Sequence, residues 1–497
     1  MRGRALKFLQ RIPGPKKLLK SGFVHNVLAL YGVQACTYAL PLLTFPYLAH
    51  VLGPSGWGVV VFAQAIGDVI ACVVEYGFDI SASRETSIQR DHPERLSALI
   101  SGVLGAKLIL AAICIAGAVL SRPLTHHVAP SLVLFWAATI WGVCQGINML
   151  WFFQGLERMK LASTLEITGK VMATLSIFVL VHKPSDGWKV LAAQCVGCVV
   201  AHGITVVLAY REVGFQLPTF SSISTALRMG GSMFLFRAVQ ILAGSVNRLV
   251  LGTVAPIAAL GEYAGAERIT RVFQQGLWPV NQALYPKLTK QAQSNPHRAM
   301  KTVRLTLLLL GVLGSAFGVA IFFAAPLLVH VVLGPDFQDS VPALRVFALW
   351  IPLIALSTVI IFQLLLPNHL DNQFNLVTFS AGLVGIGAAL LLAPRFHAVG
   401  IAWSVVAAQG YTLVAFSIVI ARAGLNPFAR LGRAGAGPRR RSPWAAVMTP
   451  VTGSQEMKLR LRERLAEAEA RNPQPPVVTA IPKRKPLQAP AKNSHQG

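Results

Sequence analysis

Ionisable side chains inside long apolar segments are the residues of this chain whose chemistry stands out. Arg237 and Arg248 lie eleven residues apart, close to three helical turns, so their side chains project from one side of a helix. Gln240 and Asn247 fall near the same stripe. A planar guanidinium binds phosphate or carboxylate through two hydrogen bonds. This face therefore suits an anionic ligand.

Thirteen ionisable residues lie inside such apolar segments. The basic ones are Lys107, Lys170, Arg237, Arg248, Arg268, Arg271 and Arg345. The acidic ones are Asp68, Glu75, Asp79, Glu166, Glu262 and Glu267. Each costs about 2.5–3.5 kcal/mol to place at membrane depth. We therefore expect them to line a hydrated cavity between helices or to pair with one another.

Two pairs have helical spacing and could be purely structural. Glu166 and Lys170 are four residues apart, and so are Glu267 and Arg271. Opposite charges at this spacing meet on the helix surface. For these four residues the sequence leaves both a structural ion pair and a ligand-binding role open.

Lys107 lies in an apolar segment with no acidic residue nearby in sequence. Three carboxylate residues of another apolar segment are spaced seven and then four residues apart. Asp68, Glu75 and Asp79 are predicted to lie on one face of the second apolar segment. An intramembrane carboxylate without a fixed partner can carry a coupling proton or sodium ion, so Asp68, Glu75 and Glu166 are candidates for ion coupling. The alternative is an inter-helix pair of Asp68 or Glu75 with Lys107 or an arginine.

Amides and aromatic rings are grouped on two further predicted helix faces. One face holds Gln145, Asn148, Trp151 and Gln154. The other holds Glu267, Arg271, Gln274, Gln275 and Trp278. Such groups suit sugars, whose hydroxyls accept and donate hydrogen bonds and whose apolar faces stack on rings. Tryptophan near the end of a span is also a common interface anchor, which is the alternative for Trp151 and Trp278.

The elements that must position these residues are apolar segments long enough to cross a membrane. Of the 497 residues, 54% are hydrophobic and 13% are charged, whereas soluble proteins carry about 25% charged residues. A helix needs about 20 apolar residues to cross the hydrocarbon core. Windows of that length predict twelve spans at 23–49, 57–82, 97–120, 131–155, 163–182, 188–210, 229–253, 262–285, 304–332, 343–366, 373–394 and 398–421.

Lysine and arginine indicate the orientation of the spans. With the N-terminus in the cytoplasm, 34 of the 45 basic residues fall in cytoplasmic segments, 4 fall outside and 7 lie within spans. The net charge of +26 is therefore mainly a positive-inside signal, and we expect no nucleic-acid partner. The prediction is an all-α polytopic membrane protein with about twelve transmembrane helices and both termini in the cytoplasm.

A weak internal repeat divides the chain into two related halves. The segments 52–58 and 259–265 both follow a span and open the next one with an aromatic residue. This fits a transporter built from two bundles around a central cavity. The predicted parts are a basic N-terminus (1–22), a six-helix bundle (23–210), a cytoplasmic linker (211–228), a second six-helix bundle (229–421) and a basic tail (422–497).

The tail is predicted to be mostly disordered, with a short charged helix at 456–471. It holds 15 basic and 4 acidic residues. It is therefore either a topology anchor on anionic lipid headgroups or a docking segment for a partner protein.

No catalytic or cofactor signature is present in the sequence. There is no Gly-rich phosphate loop followed by Lys-Ser/Thr, and no outer loop is large enough to build a polymerase or ligase site. All six cysteines lie in apolar stretches, so a disulfide framework is not expected. Cys195 and Cys198 have zinc-like spacing but no second ligand pair nearby. We predict no enzyme activity, no cofactor and no metal.

Several stretches of the chain resemble the polysaccharide-exporting (Wzx-type) oligosaccharide flippases of the multidrug/oligosaccharidyl-lipid/polysaccharide exporter superfamily. The resemblance covers about residues 23–421. The similar residues are Asn26, 41–54, Gly58, 75–79, Arg84, Glu85, Lys107, 151–160 and 260–268.

The resemblance implies two six-helix bundles that form a V around a cavity opening alternately to each side. The family moves undecaprenyl-pyrophosphate-linked oligosaccharide repeat units across the bacterial inner membrane for exopolysaccharide, O-antigen or capsule assembly. It implies membrane lipids, and polysaccharide polymerase or co-polymerase proteins, as partners. Its cationic cavity residues carry over to Lys107, Arg237, Arg248, Arg268 and Arg271. On this basis Arg237 and Arg248 are expected to hold the pyrophosphate or acidic sugars.

Three alternatives remain open. A cation-coupled multidrug exporter of the same superfamily would need an acidic cavity, which Arg237 and Arg248 disfavour. A peptidoglycan-precursor flippase usually has two more spans than the twelve predicted. A membrane glycan polymerase or ligase would need a long outer loop, which the sequence lacks.

Overall fold

The apolar segments form helices because a backbone inside hydrocarbon can satisfy its hydrogen bonds only within its own helix or in a closed barrel. The computed structural model describes residues 22–125, 132–272, 274, 296–368, 370–425 and 427–428. Side chains are described there except at 22–39, 41, 122–125, 232, 235–237, 239–243 and 296–299. The predicted tail helix at 456–471 lies outside these residues. All of the described residues belong to one unit, Met1–Ala434.

Helices dominate the described residues in both halves. The N-terminal half holds α1 (Gly22–Glu75), α2 (Phe78–Gln89), α3 (Pro93–Thr125), α4 (Leu132–Gly146), α5 (Leu150–Gly155), α6 (Met159–Leu180) and α7 (Gly187–Val213). The C-terminal half holds α8 (Phe220–Val254), α9 (257–272), α10 (Pro296–Val332), α11 (Ser340–Ile360) and α12 (Asp371–Arg422). Within the described residues, eight helical stretches are long and apolar enough to cross a membrane. The count of twelve spans stays a prediction.

Two of the long helices contain a break in the backbone. In α1 the break is at Gly53, with φ 64° and ψ 179°, and in α12 it is at His397, with φ 47° and ψ −123°. A positive φ interrupts a right-handed helix, and glycine adopts it without steric penalty. The two breaks fall between the first and second, and between the eleventh and twelfth, predicted spans.

The second predicted span ends earlier than the sequence indicated. Tyr76 and Gly77 both have positive φ, 49° and 76°, so α1 ends at Glu75 and α2 begins a new direction. Asp79 therefore lies on α2 rather than on the helix that carries Asp68 and Glu75. The prediction that all three carboxylates share one helical face was wrong for Asp79.

The fourth predicted span is also interrupted. Residues 147–149 are not helical and separate α4 from α5. Trp151 is buried and Gln154 is exposed on α5. The predicted polar face of the fourth span was therefore wrong beyond Gln145, because the backbone changes direction before the later residues.

The two halves pack through α8 and α9. Helix α8 contacts α1 and α3 of the N-terminal half and α12 of its own half. Gly58 of α1 lies against α9, where a Cβ atom would overlap the carbonyl oxygen of Ile257. Reciprocally, a Cβ on Gly261 would overlap the carbonyl oxygen of Pro54. We call this contact the glycine crossing; it joins the two segments that the sequence repeat had paired.

A second contact between the halves lies at the end of α1. The ring of Tyr76 stacks on that of Phe234 of α8, with centroids 4.7 Å apart and an interplanar angle of 22°. Gly230 lies beside it, where a Cβ would come within 2.8 Å of the Phe78 ring. This aromatic contact and the glycine crossing are therefore at opposite ends of the second part of α1.

Candidate functional site

A cavity of about 360 Å³ lies along α1, with lining residues both before the break at Gly53 and after it. Four helices of the N-terminal half, α1, α4, α6 and α7, supply most of its lining. Two arginines, Arg248 of α8 and Arg268 of α9, reach it from the C-terminal half. The remaining polar or aromatic lining residues are Thr44, Trp57, Gln64, Asp68, Trp141, Gln145, Glu166, Lys170, Thr174, Gln194, Cys198 and His202.

A network of charges connects the C-terminal side of the cavity to α1. Glu267 is 8% exposed and accepts hydrogen bonds from Arg248 Nε (3.2 Å) and Nη2 (3.1 Å). It also accepts bonds from Arg271 Nε (3.2 Å) and Nη2 (2.7 Å). Arg248 Nη1 lies 3.7 Å from Asp68 Oδ2, which accepts a further bond of 3.1 Å from Ser245. The two carboxylates of this network therefore neutralise arginine charge. Asp68 and Arg248 lie on different helices, as do Glu267 and Arg248, whereas Glu267 and Arg271 are one turn apart on α9.

Arg268 differs from the other arginines of the cavity. Its guanidinium lies over the rings of Phe45 (5.4 Å) and Trp57 (5.5 Å), both of which are buried. Within the described residues, no carboxylate lies within ion-pair distance of it. An arginine on an aromatic face keeps its hydrogen-bond donors directed away from the rings. Arg268 therefore supplies the cavity with a guanidinium group that makes no ion pair with a described carboxylate.

The polar groups on the N-terminal wall of the cavity are mostly uncharged. Gln64 of α1 donates a hydrogen bond of 3.2 Å to Gln194 of α7. The charged groups on this wall are Asp68 of the network and the pair Glu166 and Lys170 of α6, whose side chains are 2.7 Å apart. This confirms the first of the two ion pairs that helical spacing had predicted, and the contact between Glu267 and Arg271 confirms the second.

His202 and the neighbouring cysteines belong to the packing of α4 against α7. The Nδ1 atom of His202 is 2.8 Å from the carbonyl oxygen of Cys144 and 3.3 Å from Cys198 Sγ. Among the described residues, no group of three histidine, cysteine, aspartate or glutamate side chains is placed to hold a metal ion.

Lys107, Asn148 and Glu75 come together away from the cavity lining. Lys107 is 0% exposed and donates to the carbonyl oxygens of Gly146 (2.7 Å) and Asn148 (3.0 Å). Asn148 in turn donates to Glu75 across 3.3 Å. A broken helix end leaves carbonyl groups without intrahelical donors. We interpret the buried ammonium as the group that satisfies the end of α4.

The predicted site residues therefore divide into three groups. Those that line the cavity are Asp68, Gln145, Glu166, Arg248 and Arg268. Those described elsewhere are Glu75, Lys107, Asn148, Asn247, Arg271 and Gln274. Arg237 and Gln240 lie on α8 with side chains outside the described part, and Trp278 lies wholly outside it.

The polar or aromatic lining residues that sequence reasoning missed include Gln64, Trp141 and Gln194. Each is isolated in an apolar segment, and they meet only through the packing of α1, α4 and α7. For the two glutamines the available signal was a lone amide in an otherwise apolar span, which marks a side chain that must find a polar partner inside the protein.

The profile of the polysaccharide biosynthesis protein family matches residues 23–292, more than half of the chain. This protein belongs to that family. The resemblance noted in the sequence is thereby confirmed at the level of the family.

Two relatives assigned as O-antigen transporters match along most of their length. The one from Escherichia coli (strain K12) is 26% identical over 388 residues, which is 77% of this chain and 93% of the relative. The one from Shigella dysenteriae is 24% identical over 384 residues, 76% of this chain and 95% of the relative.

Two solved structures have a similar fold. The lipid II flippase MurJ in its inward closed conformation has a TM-score of 0.60 at 10% identity, covering 80% of this chain and 87% of MurJ. An inward-facing multidrug resistance MATE family transporter has a TM-score of 0.54 at 13% identity, covering 79% of this chain and 99% of the transporter. The predicted class of an all-helical polytopic membrane protein is confirmed.

Proposed function

We propose that this protein is a flippase that moves lipid-linked oligosaccharides from the cytoplasmic to the periplasmic leaflet of a bacterial inner membrane. The substrate we propose is an undecaprenyl-pyrophosphate-linked repeat unit for O-antigen, capsule or exopolysaccharide assembly. A pyrophosphate carrying sugars cannot cross about 30 Å of hydrocarbon unaided. The protein lowers that barrier by offering a polar path with positive charge between its two halves.

The single observation that carries the proposal is the position of Arg268. It lines the cavity, rests on two rings and has no carboxylate partner among the described residues. Arg248, which we had expected to hold the anion, is instead bonded to Glu267 and lies close to Asp68. We therefore assign the pyrophosphate to Arg268, with Arg248 as part of the framework that positions it.

A multidrug exporter of the same superfamily is the second candidate, since one of the similar folds is of that kind. A cationic drug would need free negative charge in the cavity. The two acids that line it, Asp68 and Glu166, each lie within 4 Å of a basic side chain. The family and the two relatives favour the oligosaccharide.

Ion coupling, and partnership with polymerase or co-polymerase proteins, are further parts of the proposal. Asp68 is the acid we assign to coupling, because it lines the cavity and is held by one serine and one arginine. Protonation of Asp68 would release Arg248 from one of its two carboxylates. The relatives support a transport function rather than catalysis.

Deleting the gene and replacing it with variants tests this function. We expect the deletion to accumulate lipid-linked oligosaccharide and the wild-type gene to clear it. Arg268→Gln should lower export about tenfold or more, because a charge-assisted bond to phosphate is lost. Arg345→Gln is the matched control, since Arg345 also rests on a ring, Phe322 at 5.5 Å, but does not line the cavity.

The measurement is surface polysaccharide together with the amount of lipid-linked precursor, at equal levels of protein in the membrane. Full export by Arg268→Gln would contradict the assignment of the anion to this residue. A deletion that accumulates no lipid-linked oligosaccharide would contradict the function itself.

A further inference from the structure

Gln64 and Gln194 form an amide pair on the N-terminal wall of the cavity. They are 130 positions apart in the chain, and their bond of 3.2 Å links α1 to α7. Gln64 uses an N–H in this bond and Gln194 uses its carbonyl oxygen. Within the described residues neither side chain makes another hydrogen bond. The pair therefore leaves the carbonyl oxygen and one N–H of Gln64, and both N–H groups of Gln194, for other partners.

Trp141 of α4 supplies an aromatic surface on the same wall. It lines the cavity and packs against a buried cluster that includes Ala63 of α1 and Leu191 of α7. It lies so close to Gly67 that a Cβ there would come within 2.5 Å of Cε3. Gln145 follows one helical turn later on α4 and also lines the cavity.

This combination has the chemistry of a carbohydrate site. The C–H face of a hexose stacks on an indole ring, while its hydroxyl groups both donate and accept hydrogen bonds. The side-chain amides of Gln64 and Gln194 match such hydroxyls without adding charge. A cavity of about 360 Å³ is at the small end of the usual range for ligand sites, about 300–1,000 Å³, so it accommodates part of a glycan rather than a whole repeat unit.

We propose that Gln64, Gln194 and Trp141, with Gln145, form a hexose-binding subsite on the N-terminal wall of the cavity. It would recognise the sugar next to the diphosphate, while Arg268 on the opposite wall holds the diphosphate itself. This subsite rests on the proposed flippase function. It makes sugar recognition and anion binding the work of different halves of the protein.

The test compares two lipids that differ only in the sugar. One is a polyprenyl diphosphate without sugar, and the other is the same lipid carrying one hexose. Equilibrium binding of each is measured to the purified full-length protein in detergent, for wild type and for the double variant Gln64→Leu/Gln194→Leu. Leucine is close in size to glutamine but offers no hydrogen bond.

We expect the wild type to bind the hexosyl lipid more tightly than the bare lipid. The double variant should bind the bare lipid as the wild type does and lose about tenfold in affinity for the hexosyl lipid, because each lost bond to a hydroxyl group contributes a few-fold. Arg268→Gln should weaken binding of both lipids. Gln154→Leu, at an exposed amide outside the cavity, should change neither.

The possible outcomes distinguish a failure of the subsite proposal from a failure of the proposed flippase function. A double variant that still prefers the hexosyl lipid as the wild type does would overturn the subsite, and so would a wild type that binds both lipids equally. A wild type that binds neither lipid would overturn the proposed function. If the double variant loses affinity for the bare lipid as well, the single variant Gln194→Leu decides. A preference for the hexosyl lipid over the bare lipid that is smaller than in the wild type would support the subsite, and an unchanged preference would overturn it.

Discussion

The two walls of the cavity are built from different chemistry. The wall from α8 and α9 concentrates arginines around one buried acid, Glu267, and leaves Arg268 without a described carboxylate partner. The wall from α1, α4, α6 and α7 adds amide and aromatic groups to an apolar surface, and its charged groups are Asp68 and the local ion pair of Glu166 and Lys170. Charged groups are thus arranged differently in the two halves of this membrane protein. We therefore expect the loss of a charge to lower the stability of the two walls by different amounts.

The largest expected effect comes from Glu267→Gln. The change removes the charge that two arginines share while keeping the shape of the side chain. Breaking a buried ion pair in this way costs about 3–5 kcal/mol. The free energy of unfolding in mixed detergent micelles measures it. Glu262→Gln is the matched control, five residues earlier on α9 and half-buried; equal losses in the two variants would show that the network does not stabilise this wall.

A smaller loss is expected where the walls meet at the glycine crossing. In Gly261→Ala the new methyl group would overlap the carbonyl oxygen of Pro54, so α9 must move away from α1. Overpacking of this kind costs about 1–3 kcal/mol. The melting temperature of the purified protein should therefore fall.

Gly117→Ala is the control for the crossing, because a Cβ there has no atom within 4 Å. It should leave the melting temperature unchanged or raise it, since alanine is favoured over glycine by about 1 kcal/mol within a helix. If the Gly261→Ala protein had the same melting temperature as the Gly117→Ala protein, the crossing would have room for a methyl group, and the prediction would be wrong.

The smallest effect is expected on the N-terminal wall, from Lys170→Gln. Its pair with Glu166 is partly solvent-exposed, 31% and 21% by side chain, and such helical pairs contribute about 0.3–0.5 kcal/mol. Lys160→Gln, exposed on the same helix, is the reference. A loss above about 1 kcal/mol relative to that reference would mean that charge also stabilises this wall, and the contrast between the walls would fail.

The sequence was sufficient for those features that depend on local spacing. The length of the apolar segments predicted the helices, and the four-residue spacings predicted both Glu166–Lys170 and Glu267–Arg271. The backbone breaks at Tyr76 and at 147–149 were not predictable in the same way. Neither position carries a proline, and Tyr76, which has the left-handed conformation, stacks on Phe234 of a helix distant in sequence.

The roles of the cationic residues needed tertiary contacts. Lys107 has no acid nearby in sequence, and its partners are backbone carbonyl groups 39 and 41 positions away, exposed by the break after α4. Arg248 and Arg268 are equivalent as residue types. Only the fold places Arg248 between two carboxylates and Arg268 on two rings.

The glycine crossing and the aromatic contact have different consequences for how the two halves can move apart. At the crossing, main chain touches main chain, so no side chain can rotate aside and the two helices can part only as whole bodies. At the aromatic contact, the rings of Tyr76 and Phe234 can separate by rotation about their own side-chain bonds. Separation of α9 from α1 therefore requires a rigid movement of whole helices, whereas separation of α8 from the end of α1 can begin with two side chains.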